Sequence, residues 1–245
     1  MRKAVGMSEI CCKRCGVADH VLNGKVRGLQ RYLCQSCGCN FTMTPPRGKP
    51  PAMKALATLL YAMGNVSFCS IARLLGVSDV AVLNWVRDEA RTLPEPSTKA
   101  DVVVVTLDEM WHFVKKKTEK LWIWRAYDPI ARRTIAWVLG RRDDATCQKI
   151  IDKIGLEGKT FVTDDWDGYH RLIPEGQLFT GKDLTVAIEQ DNSNIRHFVA
   201  RFRRRTKVVS KVVEMVDLSL RVYHHFHDNF EAFIAKVTIF RSIFS

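Results

Sequence analysis

Hydrophobic and polar positions divide the chain into three segments. Residues 9–43 are rich in cysteine and glycine, and residues 52–93 carry apolar side chains at helical spacing. Proline-rich linkers follow both segments. Beyond residue 100 the apolar runs predict strands at 101–107, 121–127, 133–139 and 159–163, and helices at 144–154 and 189–207. We therefore predict an α/β fold with three domains at 9–43, 52–93 and 100–245, the last a mixed sheet flanked by helices.

The charge of the chain indicates which classes of partner it binds. The formal net charge is +12 over 245 residues, and 47% of the residues are hydrophobic. A basic protein of this kind favours polyanions, either nucleic acid or an anionic membrane surface. Met1-Arg2-Lys3 is not followed by an apolar signal region, and the apolar runs are too short to span a bilayer. We expect a cytoplasmic protein with no membrane partner.

Two cysteine pairs predict a structural zinc site. Cys12-Lys-Arg-Cys15 and Cys34-Gln-Ser-Cys37 share the two-residue gap with which paired thiolates clamp zinc. Six of the eight cysteines lie between Cys11 and Cys39, which favours metal over disulfides in a chain without a signal peptide. Cys11 and Cys39 are competing ligands, but only Cys12 and Cys37 keep the gap on both sides. Four thiolates leave no open coordination position, so the zinc would be structural.

Residues 70–86 have the pattern of a helix-turn-helix. Ala72 is small where two helices would cross, Gly76 permits the turn, and Ser78 can cap the second helix. The predicted core is Ile71, Leu75, Val80, Leu83 and Val86. The residues predicted to face the major groove of double-stranded DNA are Asp79, Ala81, Asn84 and Trp85. The alternative is a helical hairpin that only supports the fold.

Two aspartates follow predicted strands. Asp108 comes after the strand 101–107, and Asp164 comes after Phe161-Val-Thr163. Enzymes that hydrolyse or transfer phosphodiesters hold two Mg²⁺ or Mn²⁺ ions about 3.5–4 Å apart with carboxylates placed in this way. Turn chemistry is the alternative for either residue taken alone.

Glu189 supplies a third carboxylate. Over the predicted helix 189–207, Ile195, Phe198, Val199 and Phe202 form one apolar stripe. The opposite face brings Glu189 together with Arg196, Arg203 and Lys207. A phosphate backbone laid along this basic face would run toward a metal site. The alternative is a solvated basic face with an incidental glutamate.

At these residues the chain resembles the transposases of the IS-one insertion-sequence family, within the DDE superfamily. The matching motifs are the Cys12-to-Cys37 module, the helix-turn-helix, Asp108-Glu-Met-Trp111, Thr163-Asp-Asp-Trp166, Ile188-Glu-Gln-Asp-Asn192, Ala200-Arg201 and Val209-Ser-Lys211. The resemblance implies an RNase H-like catalytic domain with Asp108, Asp164 and Glu189 as a magnesium-binding triad. Asp165 stands where a Gly is more usual, which leaves it as an alternative second carboxylate.

The same resemblance implies a function. A prokaryotic, nucleoid-associated transposase would cut at terminal inverted repeats and transfer the strands, as a homodimer or larger assembly on DNA. Two alternatives remain at this point. One is a DNA-binding regulator that uses only the zinc and helix-turn-helix modules, and the other is an RNase H-like nuclease or resolvase without joining activity.

Overall fold

The computed structural model describes residues 10–44, 48–96, 102–204 and 208–228. The chain forms two compact units, Met1–Lys49 and Pro50–Ser245, and each is described by itself. The predicted boundary near residue 100 falls inside the second unit, and the three-domain division stays a prediction.

The first unit is a small antiparallel sheet beside two cysteine turns. Its strands are β1 (His20–Val26), β2 (Leu29–Cys34) and β3 (Asn40–Thr42), in the order β1-β2-β3. Among the described residues of this unit, only Cys12, Cys34 and Phe41 form a buried apolar core, whereas Leu22 on the hairpin is 72% exposed. So small a core gives little hydrophobic stabilisation, and a bound metal would add to it.

The second unit is built on a mixed sheet of five strands. The strands are β4 (Val104–Val114), β5 (Lys116–Asp128), β6 (Arg133–Gly140), β7 (Thr160–Thr163) and β8 (Leu178–Thr180), in the order β6-β5-β4-β7-β8. β4, β5 and β6 are antiparallel, and β7 runs parallel to both β4 and β8. The helices are α1 (Pro51–Met63), α2 (Phe68–Leu75), α3 (Asp79–Thr92), α4 (Asp144–Ile154), α5 (Asp167–Leu172), α6 (Lys182–Phe198) and α7 (Glu214–Asp228). The predicted mixed sheet flanked by helices is confirmed.

Each face of the sheet has its own apolar core. Alternation along β5 sends Ile123 into the core shared with α6, α7 and the three N-terminal helices, and Trp124 into the core shared with α4 and α5. Arg125 lies on the same face as Ile123 and is fully buried there. A polar network is therefore built into the α6 side of the sheet.

The bounds of β4 and α6, which carry candidate site residues, differ from the predicted ones. β4 does not end before Asp108, because Met110, His112 and Val114 remain buried at alternate positions and β5 pairs along the strand. The helix predicted at 189–207 runs instead from Lys182 to Phe198. Its start after Gly181 has no side-chain cap, so the sequence carries only the weaker start signal of Asp183 in the first turn. The prediction that one helix carries both Glu189 and Arg203 was wrong, and its third residue, Lys207, lies outside the described residues.

Helices α2 and α3 are joined by a tight turn at an angle of 110°. Gly76 adopts the left-handed conformation with φ 61°, and the Ser78 hydroxyl accepts a hydrogen bond from the Ala81 N–H at 3.1 Å. Val80 is 58% exposed, so its predicted place in the core was wrong, and Val82 is buried instead. Across the described ranges, no single helix is long and apolar enough to cross a membrane. Only α2 and α3 taken together reach that length and apolar content, and they are bent by 110°.

The N-terminal helices share a core and a polar cluster with the rest of the second unit. The Tyr61 hydroxyl of α1 hydrogen bonds to Ser219 of α7 at 2.6 Å and accepts from Arg201 Nε at 2.9 Å. Arg201 also donates to Ser210 Oγ at 2.6 Å, and Ser210 contacts His112 Nε2 of β4 at 2.8 Å. The motif residues Arg201 and Ser210 thus connect α1 and α7 to the sheet.

Candidate functional site

The four predicted zinc ligands converge in the first unit. Their Sγ atoms all lie within 4.8 Å of one another, with Cys12 to Cys37 at 3.6 Å and Cys15 to Cys34 at 3.5 Å. Zn–S bonds of about 2.3 Å in a tetrahedron place sulfurs about 3.8 Å apart. Each pair is followed by a glycine with positive φ, Gly16 at 76° and Gly38 at 68°, which closes the turn. The cluster is consistent with a zinc site.

Three carboxylates converge where β7 ends beside β4. Each of Asp108, Glu109 and Asp164 has an oxygen within 4.8 Å of the others, and we call these residues the acidic cluster. β7 pairs with β4 only as far as Thr106 opposite Val162, so Asp164 emerges level with Asp108. The predicted convergence of Asp108 and Asp164 is therefore seen, with Asp108 inside a strand rather than at its end.

Asp108 is held by a buried network from α6. Asn192 Nδ2 donates to Asp108 Oδ2 at 2.6 Å, and Arg125 Nη1 donates to Asn192 Oδ1 at 2.5 Å. Arg125 is fully buried and forms an ion pair with Asp191, and it also donates to Thr134 Oγ1. Burial, together with the charge of Asp164, raises the pKa of the Asp108 carboxyl to about 6.

Glu109 is a member of the cluster that the sequence analysis did not select. Its Oε1 accepts from the Tyr169 hydroxyl at 2.8 Å, and its Oε2 lies 3.3 Å from Arg142 Nη2. The side chain is only 3% exposed, and burial raises its pKa to about 7. The signal was the acidic pair Asp108-Glu109, but adjacent strand residues point to opposite faces and do not suggest a shared site.

The structure distinguishes Asp164 from its neighbour. Asp164 lies in the acidic cluster, and its Oδ1 accepts from the Trp166 N–H at 3.3 Å. The side chain of Asp165 is 88% exposed and pairs with His170 at 3.0 Å. The geometry therefore favours Asp164 as the second carboxylate.

Glu189 lines the same cavity as Asp108 and Glu109 of the acidic cluster but is not one of the converging groups. It is exposed on α6, and its Oε1 accepts from Thr185 Oγ1 at 3.0 Å. The cavity has a volume of about 780 Å³, and we call it the polar cavity. It is lined by Asn65, Asp108, Glu109, Glu189, Asn192, Ser193, Arg196, His197, Arg203 and Arg204. Acidic groups and arginines thus face one space.

The predicted basic residues reach this cavity by different routes. Arg196 lies in the last turn of α6, whereas Arg203 follows a short 3-10 turn, Ala200–Phe202, beyond the helix end. Arg204, which the sequence analysis did not select, lines the cavity with them. Lys207 lies outside the described residues.

The residues predicted to meet the major groove differ in their exposure. Asp79 and Asn84 are exposed, whereas Ala81 is half-buried and Trp85 packs against the apolar core. The Asp79 carboxylate accepts from the Val80 N–H at 2.9 Å, at the helix N-terminus where a negative charge is favoured. Asp79 therefore has a structural role whether or not it meets DNA.

The fold and the site define a class of protein. A mixed α/β domain with part-buried carboxylates where β7 ends beside the middle strand β4, two of them sharing a cavity with arginines, fits a DDE transposase domain. A family profile described as "IS1 transposase" matches residues 101–230, more than half of the chain. The chain belongs to the IS1 transposase family.

Individual relatives agree with this membership. The chain is 33% identical over 118 residues to insertion element iso-IS1n protein InsB of Shigella dysenteriae, covering 46% of this chain and 87% of that protein. It is 32% identical over 117 residues to insertion element IS1 protein InsB of Shigella flexneri, covering 47% and 89%. A chain of the solved simian T-cell lymphotropic virus intasome aligns with a TM-score of 0.33 at 12% identity, covering 70% of this chain and 65% of that chain, too low a similarity to bear on the fold.

Proposed function

We propose that this protein is a DNA transposase that binds the terminal inverted repeats of its element, cuts DNA there and joins the freed strand to a target. The polar cavity carries this proposal, because Asp108, Glu109 and Glu189 line it together with Arg196, Arg203 and Arg204. Asp164 lies next to the first two of these carboxylates in the acidic cluster. A carboxylate site alone fits many metal proteins. A carboxylate site faced by arginines suits a phosphodiester. Its reaction needs cationic side chains that bind the phosphate oxygens, and it needs metal ions at the bond that reacts.

The three predicted modules take separate roles in the proposal. The second unit contains the RNase H-like catalytic domain, supported by its mixed sheet with helices on both faces. Helices α2 and α3 form a helix-turn-helix, supported by the angle of 110° and the Gly76 turn. The cysteine module binds structural zinc. Two ends must meet for joining, so the protein would act as a homodimer or larger assembly on double-stranded DNA.

The acidic cluster suits hard divalent cations. Its donors are carboxylate oxygens within 4.8 Å of one another, the ligand type that Mg²⁺ and Mn²⁺ prefer. Cations held by Asp108, Asp164 and Glu189 would stabilise the attacking and leaving oxygens. The chain's own part is positioning: Asn192 fixes one oxygen of Asp108 and leaves the other for a ligand, and the arginines hold flanking phosphates.

The test is a Glu189→Gln variant assayed on supercoiled plasmid that carries two element ends. We expect loss of Mg²⁺-dependent strand cleavage with unchanged binding to end DNA, because the amide keeps the shape but removes the charge. Glu175→Gln, an exposed glutamate outside the cavity, is the matched control. Cleavage retained by Glu189→Gln would remove it from the site. Wild-type protein that binds ends but never cuts would instead be a regulator, and cut ends never joined to target would indicate a nuclease or resolvase.

The zinc role has a separate test. We expect one zinc per chain by metal analysis, lost in Cys37→Ser but kept in Cys11→Ser, since Cys11 lies outside the converging group. Zinc retained by Cys37→Ser would contradict the ligand assignment.

A further inference from the structure

A second cavity of about 320 Å³ lies beside the polar cavity, and we call it the aromatic cavity. It is lined by Trp111, Phe113, Arg196, Phe202, Arg203 and Arg204. The three arginines line both cavities. A strand whose phosphates contact these arginines therefore has the acidic cluster on one side and aromatic rings on the other.

The two β4 rings are not part of either apolar core of this unit. Trp111 and Phe113 are half-buried and belong to neither core cluster, although they are large and lie in the middle strand of the sheet. Their ring centroids are 4.9 Å apart in an edge-to-face contact. Lys120 Nζ lies 5.1 Å from the Trp111 ring centroid. The indole therefore has an aromatic ring in contact with it and a cation over its face, outside the apolar cores.

We propose that the aromatic cavity binds an unpaired base of the DNA strand that occupies the polar cavity. This inference rests on the proposed function for the strand's location. Aromatic side chains recognise the face of a base, and in a duplex that face is covered by stacking. Arginines beside the rings suit the phosphate attached to such a base.

The size of the cavity agrees with a single nucleotide. Its volume of about 320 Å³ is near the lower end of the roughly 300–1,000 Å³ range for small-molecule sites. A duplex, whose major groove alone is about 12 Å wide, does not enter such a space, whereas one base does. The occupant is therefore a base at a strand end or at an opened position next to the acidic cluster.

The test compares Trp111→Ala with wild type in anisotropy titrations without divalent cations other than zinc. The probes are a fluorescent oligothymidylate of about 16 nucleotides and a blunt duplex of the same length. Loss of stacking for one base should weaken oligothymidylate binding about 5- to 150-fold. Duplex affinity should change little. Phe179→Ala, an aromatic residue on β8 that is 52% exposed and outside the cavity, should bind both probes like wild type.

A second measurement avoids any risk that the variant misfolds. Wild-type protein is irradiated with oligothymidylate that carries 5-iodouracil, and the cross-linked peptides are identified by mass spectrometry. Cross-links to Trp111 or Phe113 support the inference, and cross-links only elsewhere overturn it. Equal loss of single-strand and duplex binding in Trp111→Ala would also overturn it, because that indicates a structural role. Failure of Glu189→Gln to abolish cutting would refute the catalytic proposal without touching this binding result.

Discussion

Replacing Arg125 by methionine should separate two consequences of the buried network, the stability of the sheet and the position of Asp108. The guanidinium is fully buried, pairs with Asp191, and donates to Asn192 Oδ1 at 2.5 Å. Methionine fills a similar volume but has no hydrogen-bond donor in its side chain. The Asp191 carboxylate then remains buried without its partner, and Asn192 loses the donor that orients its amide toward Asp108.

The structure sets the expected magnitudes. Breaking a buried ion pair by removing one partner costs about 3–5 kcal/mol of unfolding free energy. Both Arg125→Met and Asp191→Leu should show a loss of that size. The double variant removes both charges and leaves mainly the unsatisfied Asn192 carbonyl, which costs about 1–3 kcal/mol. The two single losses should therefore not add.

The assay combines urea unfolding of the zinc-loaded full chain with Mg²⁺-dependent nicking of supercoiled plasmid. We expect the double variant to recover most of the stability but not the nicking activity, because Asn192 still lacks its donor. Additive stability losses would refute the ion pair as the source of the cost. Recovery of nicking together with stability would refute the role of Arg125 in positioning Asp108 through Asn192.

Three further predictions concern the acidic cluster and its surroundings. Asp164→Asn should abolish Mn²⁺-dependent nicking, whereas Asp165→Asn, with a side chain 88% exposed, should retain it. Gly168→Ala should lower the unfolding midpoint, because a Cβ there would meet an indole carbon at 1.9 Å, whereas Gly176→Ala meets nothing within 4 Å and should not. Without Mg²⁺, the free energy of unfolding should fall as pH rises from about 4.5 to 7, because burial raises the folded-state pKa of Glu109 to about 7. Urea titrations at several pH values should show a weaker pH dependence in Glu109→Gln. The same pH dependence in the variant and the wild type would contradict the prediction.

The sequence predicted those elements well whose bounds depend on neighbouring residues in the chain. The α4 boundaries and the Ser78 cap follow from residues within one turn, and β5 and β6 follow from their β-branched and aromatic runs. The continuation of β4 through Asp108 could not be predicted in this way. Pairing with β5 and burial of Met110 and His112 keep the strand extended past two acidic residues, and both are tertiary effects.

The site was predicted in part for the same reason. Asp108 and Asp164 were selected because each follows an apolar run, and the parallel pairing of β4 with β7 then brings them together. Glu109 was missed because alternation along a strand places adjacent residues such as Asp108 and Glu109 on opposite faces. β7 ends at Thr163, and the carboxylates of both residues lie close to that of Asp164 beyond this end. Arg203 was selected on a predicted helical face, but α6 ends at Phe198 and a 3-10 turn, Ala200–Phe202, comes before Arg203 where it lines the polar cavity.

The shared core of the second unit limits how helices α1 to α3, which include the proposed helix-turn-helix, can be separated from the rest of the unit. Tyr61 in α1 and Val86 in α3 are buried in the same core as Tyr223 of α7, which lies more than a hundred residues later in the chain. A fragment that ends near residue 100 would expose these side chains and lose the Tyr61–Ser219 hydrogen bond. Such a fragment should be aggregation-prone or need a partner protein to cover its apolar face. In an evolutionary sense, the α2–α3 pair cannot be exchanged between relatives as an independent cassette without matching changes in α7.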